Sequence, residues 1–204
     1  MNEPSNLTST ELKRAKRDVR RSTLAARDAI EPSVRAELAR AVAHRFLALP
    51  QMDTARIVLA FWSFGSELPM SPLIEAMQSR GIAVALPHIV EGEMLPRRYE
   101  PGDLLTETSF GALEPTEGAR VDPETIDVVA TPAVAFDRKG ARVGYGGGFY
   151  DRFFPRTRAE CLRAGVALGV QVLPPGEFLP GGHFDLRVDL IVTETETIRC
   201  PQER

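Results

Sequence analysis

The apolar positions change period along the chain, and the changes mark its elements. Leu12, Val19, Ala26 and Ile30 recur at steps of seven and four, on one face of a helix. The spacing predicts that helix from a cap at Ser9 or Thr10 to about Ala29, after a polar, disordered stretch at 1–9. Glu31-Pro32-Ser33 restarts the chain, with Pro32 at an early helical position. Val34, Leu38, Val42, Phe46 and Leu49 then repeat as a second amphipathic helix, closed by Pro50. From Ala55 the period is lost. ARIVLAFW (55–62) is a continuous apolar run, the pattern of a strand buried on both faces. A helix over Ser71–Ser79 stops at Gly81, and strands follow at 82–86, 126–131, 165–172 and 188–192. Between the second and third of these strands lies a helix predicted from about Tyr150 to Ala164, with Cys161 on its buried face. Residues 90–125 are rich in Glu, Pro and Gly, with a short strand near Arg97–Tyr99. Strands alternating with helices predict an α/β fold: one three-layer, Rossmann-like sandwich with a mostly parallel sheet and the two N-terminal helices packed on it. The 204 residues suit a single domain.

Composition narrows the classes of function. The formal net charge of −3 does not suit a protein that coats nucleic acid. Two cysteines, Cys161 and Cys200, form neither a disulfide framework nor a zinc spacing, and suit a reducing cytoplasm. No apolar run approaches the length of a membrane span. The N-terminus lacks the apolar core of a signal peptide, and Glu3, Glu11 and Asp18 interrupt any transit-peptide pattern. A cytoplasmic monomer that binds neither membrane nor nucleic acid is expected.

The densest chemistry lies in RVGYGGGFYDR, residues 142–152. One reading is a surface turn, but four glycines in five positions, framed by Arg142, Tyr145, Tyr150 and Asp151, exceed what a turn needs. A dinucleotide fingerprint fails because Phe149 holds the third glycine position, and no Lys-Ser or Lys-Thr closes a Walker loop. The remaining reading is a phosphate cradle. Successive backbone N–H groups would point at an anion, and the helix after Gly148 would add its positive end. Arg142 would pair with the charge, and Asp151 would hold a magnesium ion against the phosphates. In this reading a side chain at Gly147 would fill the space the phosphates need.

IDVVATPAVAFDRKGARVGYGGGFYDRFF (126–154) closely resembles the signature of the 5-formyltetrahydrofolate cyclo-ligase family. That signature runs from a strand through Pro, Phe-Asp and Gly to Arg-x-Gly-Tyr-Gly-Gly-Gly-Tyr-Tyr-Asp-Arg. Lys16 and Arg20 match the family's Lys-x-x-x-Arg, and Glu67 its glutamate before the first crossover helix. LEP at 113–115, Gln171 and DLRVDLIVTE at 185–194 match later segments. The resemblance implies conversion of 5-formyltetrahydrofolate to 5,10-methenyltetrahydrofolate, with MgATP consumed and ADP and phosphate released. The formyl oxygen takes the γ-phosphoryl group and N10 attacks the activated carbon. Such chemistry needs alignment and charge neutralisation, and no nucleophilic or basic catalytic residue is assigned.

Residue by residue, the resemblance implies ATP contacts from Lys16, Arg20, Arg142, Val143, Gly144, Tyr145, Gly146, Gly147, Gly148, Phe149 and Tyr150. It implies folate contacts from Arg20, Trp62, Glu67, Tyr145 and residues 146–149, and magnesium contacts from Asp151 and Asp189. Each has a plainer reading. At about 100° per residue, Lys13, Lys16, Arg20 and Arg27 form one basic strip beside the apolar stripe, and such strips are often merely solvated. Lys13, Arg14, Arg17 and Arg21 are assigned only that role. Trp62 could be core, Glu67 and Asp151 helix-start acids, and Asp189 a turn residue at a strand edge. Two departures stand out. Phe149 replaces the family's usual Tyr, and Phe184 intervenes between His183 and Asp185, so His183 receives no role. The alternatives are a nucleotide-binding relative with another acceptor, and a non-catalytic folate-binding protein.

Overall fold

The computed structural model describes residues 7–108 and 111–201. Of the stretch expected to be disordered, residues 1–6 lie outside the described residues, while Leu7 and Thr8 lead directly into helix α1 (Ser9–Asp28). The cap is Thr8 rather than Ser9 or Thr10. Only from Thr8 does an acid follow three residues on, and Thr8 and Glu11 bond reciprocally as a capping box. Helix α2 (Pro32–Leu47) begins on its proline as expected. Leu49 falls outside it in extended backbone, as the residue before Pro50 favours, but its side chain remains buried.

The strands follow in chain order: β1 (Ile57–Leu59), then, after α3 (Ser71–Ser79), β2 (Ala83–Leu86), β3 (Ile89–Val90), β4 (Glu93–Met94), β5 (Arg97–Tyr99), β6 (Leu105–Glu107) and β7 (Leu113–Pro115). The chain continues with β8 (Val128–Thr131), β9 (Ala135–Phe136), β10 (Arg142–Val143), the short helix α4 (Phe149–Phe153), β11 (Leu162–Val166), β12 (Leu190–Val192) and β13 (Thr197–Arg199). Seven of them form one sheet in the order β13-β12-β11-β8-β1-β2-β5. The four pairings among β2, β1, β8, β11 and β12 are parallel, and β5 and β13 add antiparallel edges.

Both faces of the sheet are covered, which explains the unbroken apolar runs. Val58, Val128, Ala164 and Leu190 pack with Val42 and Phe46 of α2 and Leu73 and Met77 of α3. Leu59, Val129 and Ile191 face the other way, into a cluster with Phe136, Phe153 and Phe154. Only one of the two N-terminal helices joins this core. Helix α1 instead lies over the β9–β10 ribbon, with Val19 against Ala135, Val143 and Leu179.

The helix predicted from Tyr150 to Ala164 ends at Phe153 and passes into a 3-10 turn over Phe154–Arg156. Pro155 cannot continue the backbone ladder, and pairing with β8 draws residues 162–165 into the sheet. Cys161 is therefore buried just ahead of a strand rather than on a helix. The strand expected at 165–172 shifts earlier for the same reason, and Gly169–Gln171 forms a 3-10 turn. There Gln171 accepts a hydrogen bond from Leu168 N–H and donates to Ala133 O at 2.7 Å, tying this turn to the segment after β8.

The glycine loop is carried by the β9–β10 ribbon. Asp137 closes its turn, accepting N–H bonds from Lys139 and Ala141 at 2.9 and 3.0 Å, and Gly140 takes φ +86°. The Phe136 ring anchors the ribbon on the sheet over Gly165 of β11. A Cβ at Gly165 would stand 2.8 Å from that ring. Gly165→Ala should therefore destabilise the fold by about 1–3 kcal/mol through overpacking. A thermal melt unchanged from that of the native chain would remove Gly165 as the seat of the ribbon.

Candidate functional site

The sheet reverses its direction of growth at β1, whose neighbours are β2 on one side and β8 on the other. Ligands in open α/β sheets gather at such switch points, beyond the carboxyl ends of the strands. A cleft of about 760 Å³ lies there. Phe61, Trp62, Phe64 and Glu67 enter it after β1, Pro87 after β2 and Pro132 after β8. Lys13, Lys16 and Arg20 of α1 reach it from the side, and the whole stretch from Arg142 to Asp151 lines it.

The loop is held from two directions. Arg20 donates from Nε to Gly144 O at 2.6 Å, so part of its guanidinium secures the loop backbone. Arg142 is 8% exposed and donates from Nη2 to Asp151 Oδ1 at 2.7 Å. Its guanidinium also lies 5.2 Å from the Phe154 ring and 5.7 Å from the Tyr150 ring. Leu186 N–H bonds the same Asp151 oxygen at 2.9 Å. Arg142 Nε and Tyr150 Oη are buried without hydrogen-bond partners among the described residues. Burial pushes the Tyr150 phenol well above its ordinary range.

The glycines do not act alike. Gly146 and Gly148 take φ +113° and +64°, in the region that favours glycine. Gly147 does not, and a Cβ there would meet the Phe149 ring at 2.5 Å rather than open space. Phe149 thus folds back on its own loop, with the Arg152 guanidinium 5.3 Å from its ring. The five-residue α4 is also too short to supply the helix end expected behind the cradle.

Glu67 lies across the cleft and is 6% exposed. Its Oε2 accepts the Phe64 N–H at 3.2 Å. Burial raises its pKa to about 7, opposed by the Phe64 N–H, by the charge of Arg27 and by the Tyr145 hydroxyl. The Tyr145 phenol is itself raised to about 12 by burial and by Glu67. Trp62 serves two roles. It lines the cleft and also packs on the core, edge-on to Tyr99 at a centroid distance of 5.5 Å.

The structure thus brings together Lys16, Arg20, Trp62, Glu67 and every residue from 142 to 151. It does not bring Asp189 to them. Asp189 precedes β12 and accepts the Arg163 N–H at 2.7 Å, at the opposite end of the strands from the cleft. Four charged residues in or beside the cleft escaped sequence reasoning. Asp185 lines the cleft and pairs with Lys16. Buried Glu114 lines it too, accepting the Ile89 N–H at 2.8 Å. Lys13, assigned only a solvated role, stands at the cleft rim. Arg27, on the same basic strip, is buried behind Glu67. The strip itself was the usable signal for both Lys13 and Arg27.

Comparison with known proteins addresses the same segments. A sequence model of the 5-formyltetrahydrofolate cyclo-ligase family matches residues 12–194. The 5-formyltetrahydrofolate cyclo-ligase of Escherichia coli K12 is 32% identical over 176 residues, 83% of this chain and 95% of that protein. The enzyme of the same name from Haemophilus influenzae is 30% identical over 158 residues, 74% of this chain and 83% of its own. The NMR structure of Aquifex aeolicus 5,10-methenyltetrahydrofolate synthetase superposes with a TM-score of 0.78 at 32% identity, covering 93% of this chain and 94% of that one. Because the matched span includes every residue that lines the cleft, from Lys13 to Asp185, the chain belongs to the 5-formyltetrahydrofolate cyclo-ligase family.

Proposed function

We propose that the protein uses MgATP to close 5-formyltetrahydrofolate into 5,10-methenyltetrahydrofolate, releasing ADP and phosphate, and that the cleft at the switch point binds both substrates. The observation that carries this reading is that the glycine loop with its cations and the buried Glu67 line one cleft rather than two. ATP phosphates lie on the loop side, among backbone N–H groups and the charges of Lys16, Arg20 and Arg142. The pterin lies on the other side, its amino and ring N–H groups donating to Glu67 and its ring against Trp62. The formyl oxygen attacks the γ-phosphorus and ADP leaves. The N10 lone pair then attacks the activated carbon, N10 loses its proton, and phosphate departs with the former formyl oxygen. The protein's part is to align the two substrates and balance their charge.

Magnesium sites commonly take one or two carboxylates and complete their shell with phosphate oxygens and water. Among the described residues no group of three potential metal ligands stands together, which is compatible with such a site. Asp151 fits as the protein's ligand. Its Oδ1 is fixed by Arg142 and the Leu186 N–H, so Oδ2 is the oxygen to offer. Asp189 does not fit, because it lies away from the cleft. A bound magnesium ion would neutralise phosphate charge. Lys16 would divide its charge between the phosphates and Asp185.

Absorbance of the methenyl product follows the reaction directly. Turnover of 5-formyltetrahydrofolate should require both ATP and a divalent cation. Equal product formation without ATP would overturn the reading, since the oxygen would then need no phosphorylation.

A further inference from the structure

Arg27 is the one buried residue of α1, at 3% exposure in the helix's last turn. Burying a guanidinium is costly unless partners replace its water. Neither hydrogen bond it makes goes to a carboxylate. Nε donates to Ser66 Oγ at 3.0 Å, and Nη2 donates to Tyr145 Oη at 2.9 Å. Nη1 is buried without a hydrogen-bond partner among the described residues. Ser66 in turn donates to Asp28, the neighbour of Arg27 on α1. The two partners belong to the two sides of the cleft. Ser66 adjoins Glu67 in the turn after β1, and Tyr145 is the only aromatic among residues 144–148. A guanidinium needed only for packing would be better served by a carboxylate in the same fold. This one spends its donors on two hydroxyls from segments that are far apart in sequence.

We propose that Arg27 is a positioning residue that clamps the Glu67 turn to the glycine loop, fixing the carboxylate and the loop in one mutual arrangement. The proposal rests on the reading above that Glu67 receives the pterin. The charged and titratable groups facing Glu67 are Arg27 from α1, Tyr145 from the loop and Tyr150 from α4, beside the Phe64 N–H of its own turn. Arg27 is the cation among them. Its removal disfavours the ionised carboxylate and moves the titration of Glu67 to higher pH.

The test is steady-state kinetics of four variants, Arg27→Met, Arg27→Lys, Tyr145→Phe and Arg27→Met/Tyr145→Phe, from about pH 5.5 to about pH 8.5. Arg27→Met should lower kcat/KM for the folate about tenfold or more, and its acid limb should move to higher pH. Arg27→Lys keeps the charge and loses the fork, so its limb should stay in place while kcat/KM falls several-fold. The double variant should lose less than the sum of the two single losses, because the Arg27–Tyr145 bond is counted in both, while the hydrogen bond of the Tyr145 hydroxyl to Glu67 is Tyr145's alone. An unmoved limb in folded Arg27→Met, with fully additive losses, would overturn the clamp. If Arg27→Met does not fold, Arg27→Lys, Tyr145→Phe and their combination decide the matter by the same additivity. A Glu67→Gln control separates the two readings. If the limb persists in that variant, the limb is not that of Glu67 and the pterin assignment falls, while the additivity of Arg27 and Tyr145 still decides the clamp.

Discussion

Glu67→Gln should bind 5-formyltetrahydrofolate about 10- to 100-fold more weakly, the range for hydrogen bonds to a charged group, yet fold more stably than the native chain at pH 8. Both effects have the same origin. The folded protein raises the Glu67 pKa from about 4.5 to about 7, chiefly by burial. Between those values an unfolded chain has released the proton that the folded chain still holds. Stability therefore falls as pH rises through this window, by up to about 3 kcal/mol at 1.36 kcal/mol per unit. Below the window the native chain and the glutamine variant should be close in stability. Above it the variant, which cannot ionise, should melt at the higher temperature. The comparison of melts must be made pairwise at each pH, because other carboxylates such as Asp127, whose pKa is lowered, impose the opposite trend on both chains. Folate affinity should show the converse. Pterin N–H groups donating to Glu67, as proposed, would stabilise the anion, so the native chain should gain affinity as Glu67 ionises and the variant should not. ATP affinity should be unchanged. A native melt equal to that of the variant at pH 8 would mean that Glu67 is not buried as an anion. Equal folate affinity would remove it from the pterin site.

The same carboxylate shows what sequence can and cannot convey about this protein. The central strands were legible because both their faces are buried, so β1, β2, β8 and β12 appear as unbroken apolar runs. The antiparallel pairs were not. Strands β9 and β10 have two residues each, too few for any period. The β3–β4 hairpin turns on Glu91-Gly92, with φ +51° and +84°, where Asn or Asp before the glycine is the usual signal. Residues 158–164 place apolar side chains at 159, 161, 162 and 164, a spacing that suits a helix as well as a strand, and only pairing with Val128–Thr131 draws residues 162–165 into the sheet. The site divides along the same line. Lys16 and Arg20 stood out as neighbours on a basic strip. The partner of Lys16, Asp185, lies 169 residues away, and no local pattern joins them. Arg27 lay on that strip, but its burial follows from the docking of α1 against the ribbon, a tertiary event. Glu67 was legible only through family resemblance. Burial shifts its titration, and the groups that meet it there, Arg27, Tyr145 and Tyr150, come from α1, the glycine loop and α4, which no local pattern joins to it.

Gly144→Val should lower ATP affinity about 100-fold while leaving the fold intact, and it is the position at which the phosphate cradle is best tested. The other loop glycines confound the question. A side chain at Gly146 or Gly148 would strain backbone at φ +113° or +64° wherever the phosphates lie. A side chain at Gly147 would collide with Phe149 at 2.5 Å, so loss of binding there would report a displaced ring. Gly144 has neither problem. Its φ lies outside the positive region, and the atom nearest to an added Cβ is Arg142 Nη1 at 3.9 Å. It lines the cleft between Arg142 and the loop turn, and its carbonyl is held by Arg20. A valine there keeps the backbone path and the Arg20 bond, and occupies the volume that the phosphates would need beside Arg142. Unfolding temperature should change by no more than about 2 °C, as for a substitution that meets no close neighbour. Gly144→Ala, with one methyl group, should produce a smaller loss of the same kind. Calorimetric titration with ATP and with 5-formyltetrahydrofolate separates the sides of the cleft, since the proposed pterin site is at Glu67. Loss of ATP binding with folate binding retained locates the phosphates on the loop. Undiminished ATP affinity in a folded Gly144→Val chain would show that the glycines make a turn and that the phosphates bind elsewhere.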